Sequence, residues 1–172
     1  MRILPLTEQA RWLAAHALPT EPYERGGEVF KFFLQFHAPK TLASIECFTK
    51  ALLDYAGVGG DVMMTVIDTE APYDYDERLF DKLRFPVGEP KTIVEAPAHL
   101  FSTDELDDLV PMFGLTVAWQ WEAYLHMPHT RTVLLNWEGE VFDFWTDDRS
   151  VFAGVSEMLK TFGLSETESA QQ

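Results

Sequence analysis

The chain has a single cysteine in 172 residues, few basic side chains and no long apolar run. With only Cys47, no intramolecular disulfide can form, so the fold must rest on its core rather than on crosslinks. Thirteen lysines and arginines stand against 28 aspartates and glutamates, a net charge of −15. Nucleic acid and anionic membranes, which bind basic surfaces, are therefore poor partners. No stretch approaches the roughly 20 apolar residues that span a bilayer. Met1 to Leu18 carries Arg2 and Arg11 but no signal-peptide core, and the expected compartment is the reducing cytoplasm. Cys47 lies among Ile45, Phe48 and Leu52 and is expected to be a buried structural thiol.

Catalytic signatures are missing too. There is no Gly-x-Ser-x-Gly elbow and no helical His-Glu-x-x-His pattern. Gly57-Val58-Gly59-Gly60 precedes a strand pattern and not a helix, so it reads as a turn and not as a phosphate-binding loop. His126-x-x-His129 straddles Pro128 in an expected loop, and His16 and His37 stand alone. No metal and no cofactor is expected.

What is present describes an ordinary globular chain: 47% hydrophobic and 24% charged residues, at a length that fits one domain. The acidity is uneven. Residues 1–60 hold six acids and six bases, residues 61–108 thirteen against four, and residues 109–172 nine against three. The whole excess thus follows Gly60. It serves solubility, or docks a basic partner, or imitates a nucleic-acid backbone along residues 61–108.

Periodicity gives an α+β order. A short helix opens at Thr7 and closes before Pro19. Glu28 to His37 alternates as a half-buried strand, with Phe30, Phe32, Leu34 and Phe36 on one side and Phe33 interrupting the polar side. Thr41 starts a helix to about Ala56, and Val62 to Ile67 is a β-branched interior strand. After a turn at Ala71 to Tyr73 a brief helix follows Asp74 and stops at Pro86 and Gly88, and Lys91 to Glu95 can form an edge strand. Ser102-Thr103-Asp104-Glu105 is a capping box that opens a helix, with Phe101 stapled to Leu106 and the helix kept short by Pro111 and Gly114. A near-ideal stripe from Asp148 to Phe162 makes the last helix. The domain is set at residues 1–164, with Ser165 to Gln172 as a mobile tail.

Trp119, Trp121, Trp137 and Trp145, four of the five tryptophans, fall in a stretch of 27 residues that reads as a three-stranded meander. Leu115 to Leu125 supplies the first strand. If Glu138-Gly139 is a two-residue turn, Trp137 pairs with Glu140, Leu135 with Phe142 and Val133 with Phe144, which gathers the apolar residues on one face. The opposite face then carries Gln120, Glu122, Tyr124, Asn136, Asp143 and Trp145, with His126 beside them. Glu122 and Asp143 come out on the order of 9 to 10 Å apart across Leu134, a spacing at which two carboxylates can act as acid and base around a water.

In general character (small, acidic, single-domain, one cysteine, aromatic strands near the end) the chain resembles bacterial immunity proteins that neutralise toxins, although no motif is shared. The leading expectation is a non-enzymatic module that binds a basic protein partner, of immunity or inhibitor type. The alternatives are an enzyme or small-ligand protein with a pocket beside the meander, using Glu122, Tyr124, His126 and Asp143, and a nucleic-acid mimic.

Overall fold

Seven strands form one antiparallel sheet with helices against both of its faces, in a computed structural model that describes residues 1–25, 29–57, 59–68, 74–84, 88 and 90–167. The turn expected at 71–73, the helix stop at Pro86, and 168–172 of the expected tail lie outside these residues. In chain order the elements are β1 (Arg2–Leu4), α1 (Leu6–Ala15), β2 (Phe32–His37), α2 (Leu42–Leu52), β3 (Val62–Asp68), α3 (Asp74–Arg84), β4 (Ala98–Phe101), α4 (Leu106–Ala118), β5 (Glu122–Met127), β6 (Thr132–Trp137), β7 (Val141–Thr146) and α5 (Arg149–Phe162). Across the sheet the order is β1-β4-β3-β5-β6-β7-β2. The architecture is α+β, with β5 to β7 as a C-terminal meander.

The period of two along each strand divides the side chains between two cores. On one face Phe36, Met64, Leu125, Leu134, Phe142 and Phe144 meet Ile45 and Phe48 of α2, Phe80 of α3, Phe113 of α4 and Val155 of α5. On the other, Leu4, Met63, Leu100, Val133, Leu135 and Trp145 are covered by Leu13 of α1, together with Leu18 and Phe30. A sheet sealed on both sides needs apolar residues at both parities, which explains why β3 and β6 read as continuous apolar runs rather than as alternations.

Helix ends follow local chemistry. Thr41 and Ser44 form a reciprocal cap on α2, Ser102 and Glu105 do so for the turn that leads into α4, and Asp148 accepts from Ser150 and Val151 at the start of α5. Each cap satisfies backbone amides that have no partner inside the helix.

Three expectations, on the Leu115 segment, on Lys91 to Glu95 and on Cys47, are corrected. The segment from Leu115 is not strand: α4 runs through Pro111 and Gly114 to Ala118. Pro111 sits on the exposed side, where water can reach the carbonyl that its missing amide leaves unpaired. Gly114 is helical because α2 crosses it closely; a β-carbon there would lie 3.2 Å from Leu42 Cδ1. Lys91 to Glu95 is turn, and the strand falls at β4, with the three-residue β1 beyond it. Cys47 is exposed, on the solvent side of α2. Ser165 to Thr167 do not leave the body: Glu166 bridges to Phe36, and the Thr167 amide donates to the Gln35 carbonyl at 3.0 Å.

The register of the meander is also corrected, by one residue. Trp137 pairs with Val141, Leu135 with Asp143 and Leu134 with Phe144. Glu138 and Gly139 both adopt positive φ, 45° and 71°, as a primed hairpin turn requires, but Glu140 is an extra residue outside the β6–β7 ladder. Its amide bonds the Trp137 carbonyl and its carbonyl accepts from Ala38. The insertion moves every following side chain to the opposite face. Phe142 and Phe144 therefore join Leu134 under α2 and α4, while Asp143 and Trp145 join Leu135 and Val133 on the α1 side.

Candidate functional site

Asp143 occupies the middle of β7, paired with Leu135 on one side and Gln35 on the other. Its side chain is fully buried. An isolated carboxylate there is costly, and it is held by converging donors. Gln35 Nε2 donates to Oδ1 at 2.8 Å. The hydroxyl of Tyr23 and the indole N–H of Trp137 both donate to Oδ2. Gln35 is itself fixed, accepting from Thr167 Oγ1 at 2.5 Å. Among the described residues Asp143 has no cationic partner, so its negative charge is dispersed only through neutral dipoles.

The rings that hold this carboxylate also build a surface. Tyr23, from the 3₁₀ turn Pro22–Arg25, lies 4.9 Å from Trp145 in an edge-on arrangement and 6.0 Å from Trp137. Phe33 of β2 lies 5.5 Å from Trp145. Trp145 is buried beneath them, while Tyr23, Phe33 and Trp137 are 45%, 44% and 37% exposed. Tyr23 and Trp137 thus stand beside each other and Phe33 joins them across Trp145, at the β6–β7–β2 end of the sheet. Burial, then the hydrogen bond to Asp143 and that residue's charge, hold the Tyr23 hydroxyl well above the ordinary tyrosine range. It stays a donor and is no base or nucleophile at neutral pH.

The seven residues singled out from sequence do not share one face. Asp143 and Trp145 belong to the site just described. Tyr124 and His126 are on the same side of the sheet but buried, their rings 5.4 Å apart. Among the described residues neither imidazole nitrogen of His126 makes a well-formed hydrogen bond, and the Pro19 carbonyl is its one polar neighbour. Burial holds its ring below the usual histidine range, at about 4, against a small opposing pull from the Pro19 carbonyl. Asn136 faces the opposite side, donating to the Trp121 carbonyl at 2.7 Å and accepting from the Gly139 amide at 3.0 Å, which anchors the hairpin turn. Gln120 sits in the turn after α4 with φ 61°. Glu122 begins β5 opposite Asp68, one row away from Asp143, whose own row is Tyr124, Leu135 and Asp143. With the Asp143 oxygens already engaged, the expected pairing of the two carboxylates around a water is not formed.

Tyr23, Phe33, Gln35 and Trp137 were not among the expected site residues. Phe33 carried a signal, as an aromatic breaking the polar side of an alternating strand. Tyr23 carried none, because its partners lie more than a hundred residues away. No group of three metal-ligating side chains converges among the described residues, and no described helix is long and apolar enough to cross a membrane. Compared with protein-family models, curated proteins and solved structures, the chain matches none.

Proposed function

We propose that the protein is a non-enzymatic binding module that docks a basic protein through Tyr23, Phe33 and Trp137. The observation that carries this reading is the exposure of three clustered aromatic rings over Asp143, a buried carboxylate with no cation beside it among the described residues. Aromatic rings held rigidly by their neighbours supply contact area at low entropic cost and dominate the energetic centres of protein interfaces. Their faces attract lysine and arginine, more so with a negative charge behind them. The net charge of −15 favours the encounter with a basic partner.

Phe33→Ala tests the reading, since Phe33 takes no part in holding Asp143. Affinity capture from the native host is run with both proteins at low and at moderate salt. The reading expects a basic protein held by the parent, released as salt rises, and bound at least about tenfold more weakly by the variant, the loss of a central aromatic contact. Recovery of only acidic partners, or binding indifferent to Phe33, contradicts it.

A further inference from the structure

A concavity lies on the α1 side of the sheet; it shares no residue with the aromatic patch, although its Thr20 and Glu21 directly precede the turn that carries Tyr23. It arises because β4 pairs with β3 only as far as Thr65. Beyond that point, among the described residues, one flank of β3 has no strand beside it, apart from the Val66 amide donating to the Pro97 carbonyl at 3.1 Å. The β3–β5 ladder also slips between Val66 and Asp68. The opening is a cavity of about 450 Å³ between α1, the end of β3, the segment before β4 and the loop at Thr20 and Glu21.

Its chemistry is one-sided. Leu6, Ile67 and Val94 are exposed at the mouth, and Ile93 is buried in the wall. Among the described residues the charged side chains in the lining are Glu21 and Asp68, with no lysine, arginine or histidine, and Glu21 is the carboxylate on which the site depends. Glu21 makes no hydrogen bond or ion pair among the described residues. On the floor, Gln9 and Thr65 are both buried, and Gln9 Nε2 donates to Thr65 Oγ1 at 3.2 Å. That bond uses the Gln9 amino group and leaves its carbonyl oxygen without a partner among the described residues. The cavity therefore offers acceptors and negative charge, set among aliphatic side chains. An anion is repelled there, and a purely apolar ligand leaves the Gln9 acceptor unpaired.

We propose that this cavity binds an alkylammonium group. The aliphatic stem lies against Leu6, Ile67 and Val94, and the ammonium donates to Glu21 and to the Gln9 carbonyl. The inference is independent of the aromatic patch and of any protein partner docked there.

Titration of the full chain with hexylammonium, followed by calorimetry and by amide NMR shifts, tests it. Saturable binding at one site is expected, at ~1 mM or tighter for so small a ligand, with shifts at Ile67 and Val94. Hexanoate and hexanol, which share the stem, should bind at least about tenfold more weakly. Val94→Trp, which fills the mouth from an exposed position, should abolish binding, and Glu21→Gln should weaken it about fivefold; thermal unfolding of both variants confirms that they remain folded. Nα-acetyl-lysine methylamide separates the sources. Tighter binding by it assigns the group to a protein side chain, and tighter binding by hexylammonium assigns it to a free amine; either result supports the site. No saturable binding of either, equal binding of hexanoate, or a folded Val94→Trp that binds unchanged would overturn the proposal.

Discussion

Tyr23 and Asp143 stand 120 residues apart in the chain and meet through one hydrogen bond, the phenol donating to the carboxylate. The contact pins the 3₁₀ turn after α1 onto β7. It gives a buried charge one of its three donors and the exposed aromatic patch its central ring.

Asp143→Asn should unravel that arrangement. An amide offers one acceptor oxygen where the carboxylate offers two, and its amino group meets either the Gln35 donor or those of Tyr23 and Trp137. The expected loss is about 2–4 kcal/mol, the cost of leaving one or two buried donors unpaired, read from urea unfolding. Tyrosinate absorbance should show Tyr23 titrating at lower pH than in the parent, while remaining above an ordinary tyrosine because its partial burial persists. A variant of unchanged stability and unchanged tyrosine titration contradicts the assigned contact.

Stability should fall on mild acidification because of two buried histidines. Burial holds His126 at about 4, and burial followed by the nearby Arg84 charge holds His99 at about 3. In the unfolded chain both take up a proton near pH 6.5. Below that value the unfolded state binds more protons than the folded one, so stability declines from about pH 6.5 downward until the folded values are reached. His126→Met replaces one of these groups with an uncharged side chain. At pH 5 the variant should gain about 2 kcal/mol on the parent relative to their difference at pH 8. Parallel urea midpoints at the two pH values would contradict a buried neutral His126.

Gly139→Ala should be strongly destabilising. The residue has φ +71°, and an added β-carbon would lie 2.3 Å from the Val117 carbonyl oxygen at the end of α4. Backbone strain and backbone collision act together, and the expected cost is about 2–4 kcal/mol. An unchanged denaturation midpoint would show that the hairpin does not press against α4.

Cys47 lies on the exposed side of α2. One equivalent of thiol reagent should react with the native protein at a rate that urea changes little. A reaction that waits for denaturant would place the thiol inside.

The elements legible in the sequence were those with both a stripe and a cap. α2 carried Thr41 before Ile45, Phe48 and Leu52, and α5 carried Asp148 before Val151, Val155 and Leu159. The end of α4 was illegible, because Leu115, Val117, Trp119 and Trp121 alternate like a strand, while Leu109, Met112, Phe113, Thr116 and Val117 form the helical face that packing selects. β4 was hidden in a short run buried at all four positions, where alternation has no meaning. The site failed for a different reason. Its register hangs on Glu140, whose carbonyl accepts from Ala38, just beyond the end of β2, and its second residue, Tyr23, arrives from a turn with no local signal.

Glu140 makes chain length in this hairpin matter more than residue identity. Deleting it alone would restore the simpler two-residue turn and exchange the positions of Phe142 and Phe144 with those of Asp143 and Trp145, pointing a carboxylate into the aromatic core under α2. In any relatives of this protein, substitutions at Glu140 should be common and gaps between Asn136 and Asp143 absent, because the presence of a residue there, more than its chemistry, keeps the carboxylate and the phenylalanines on their proper sides.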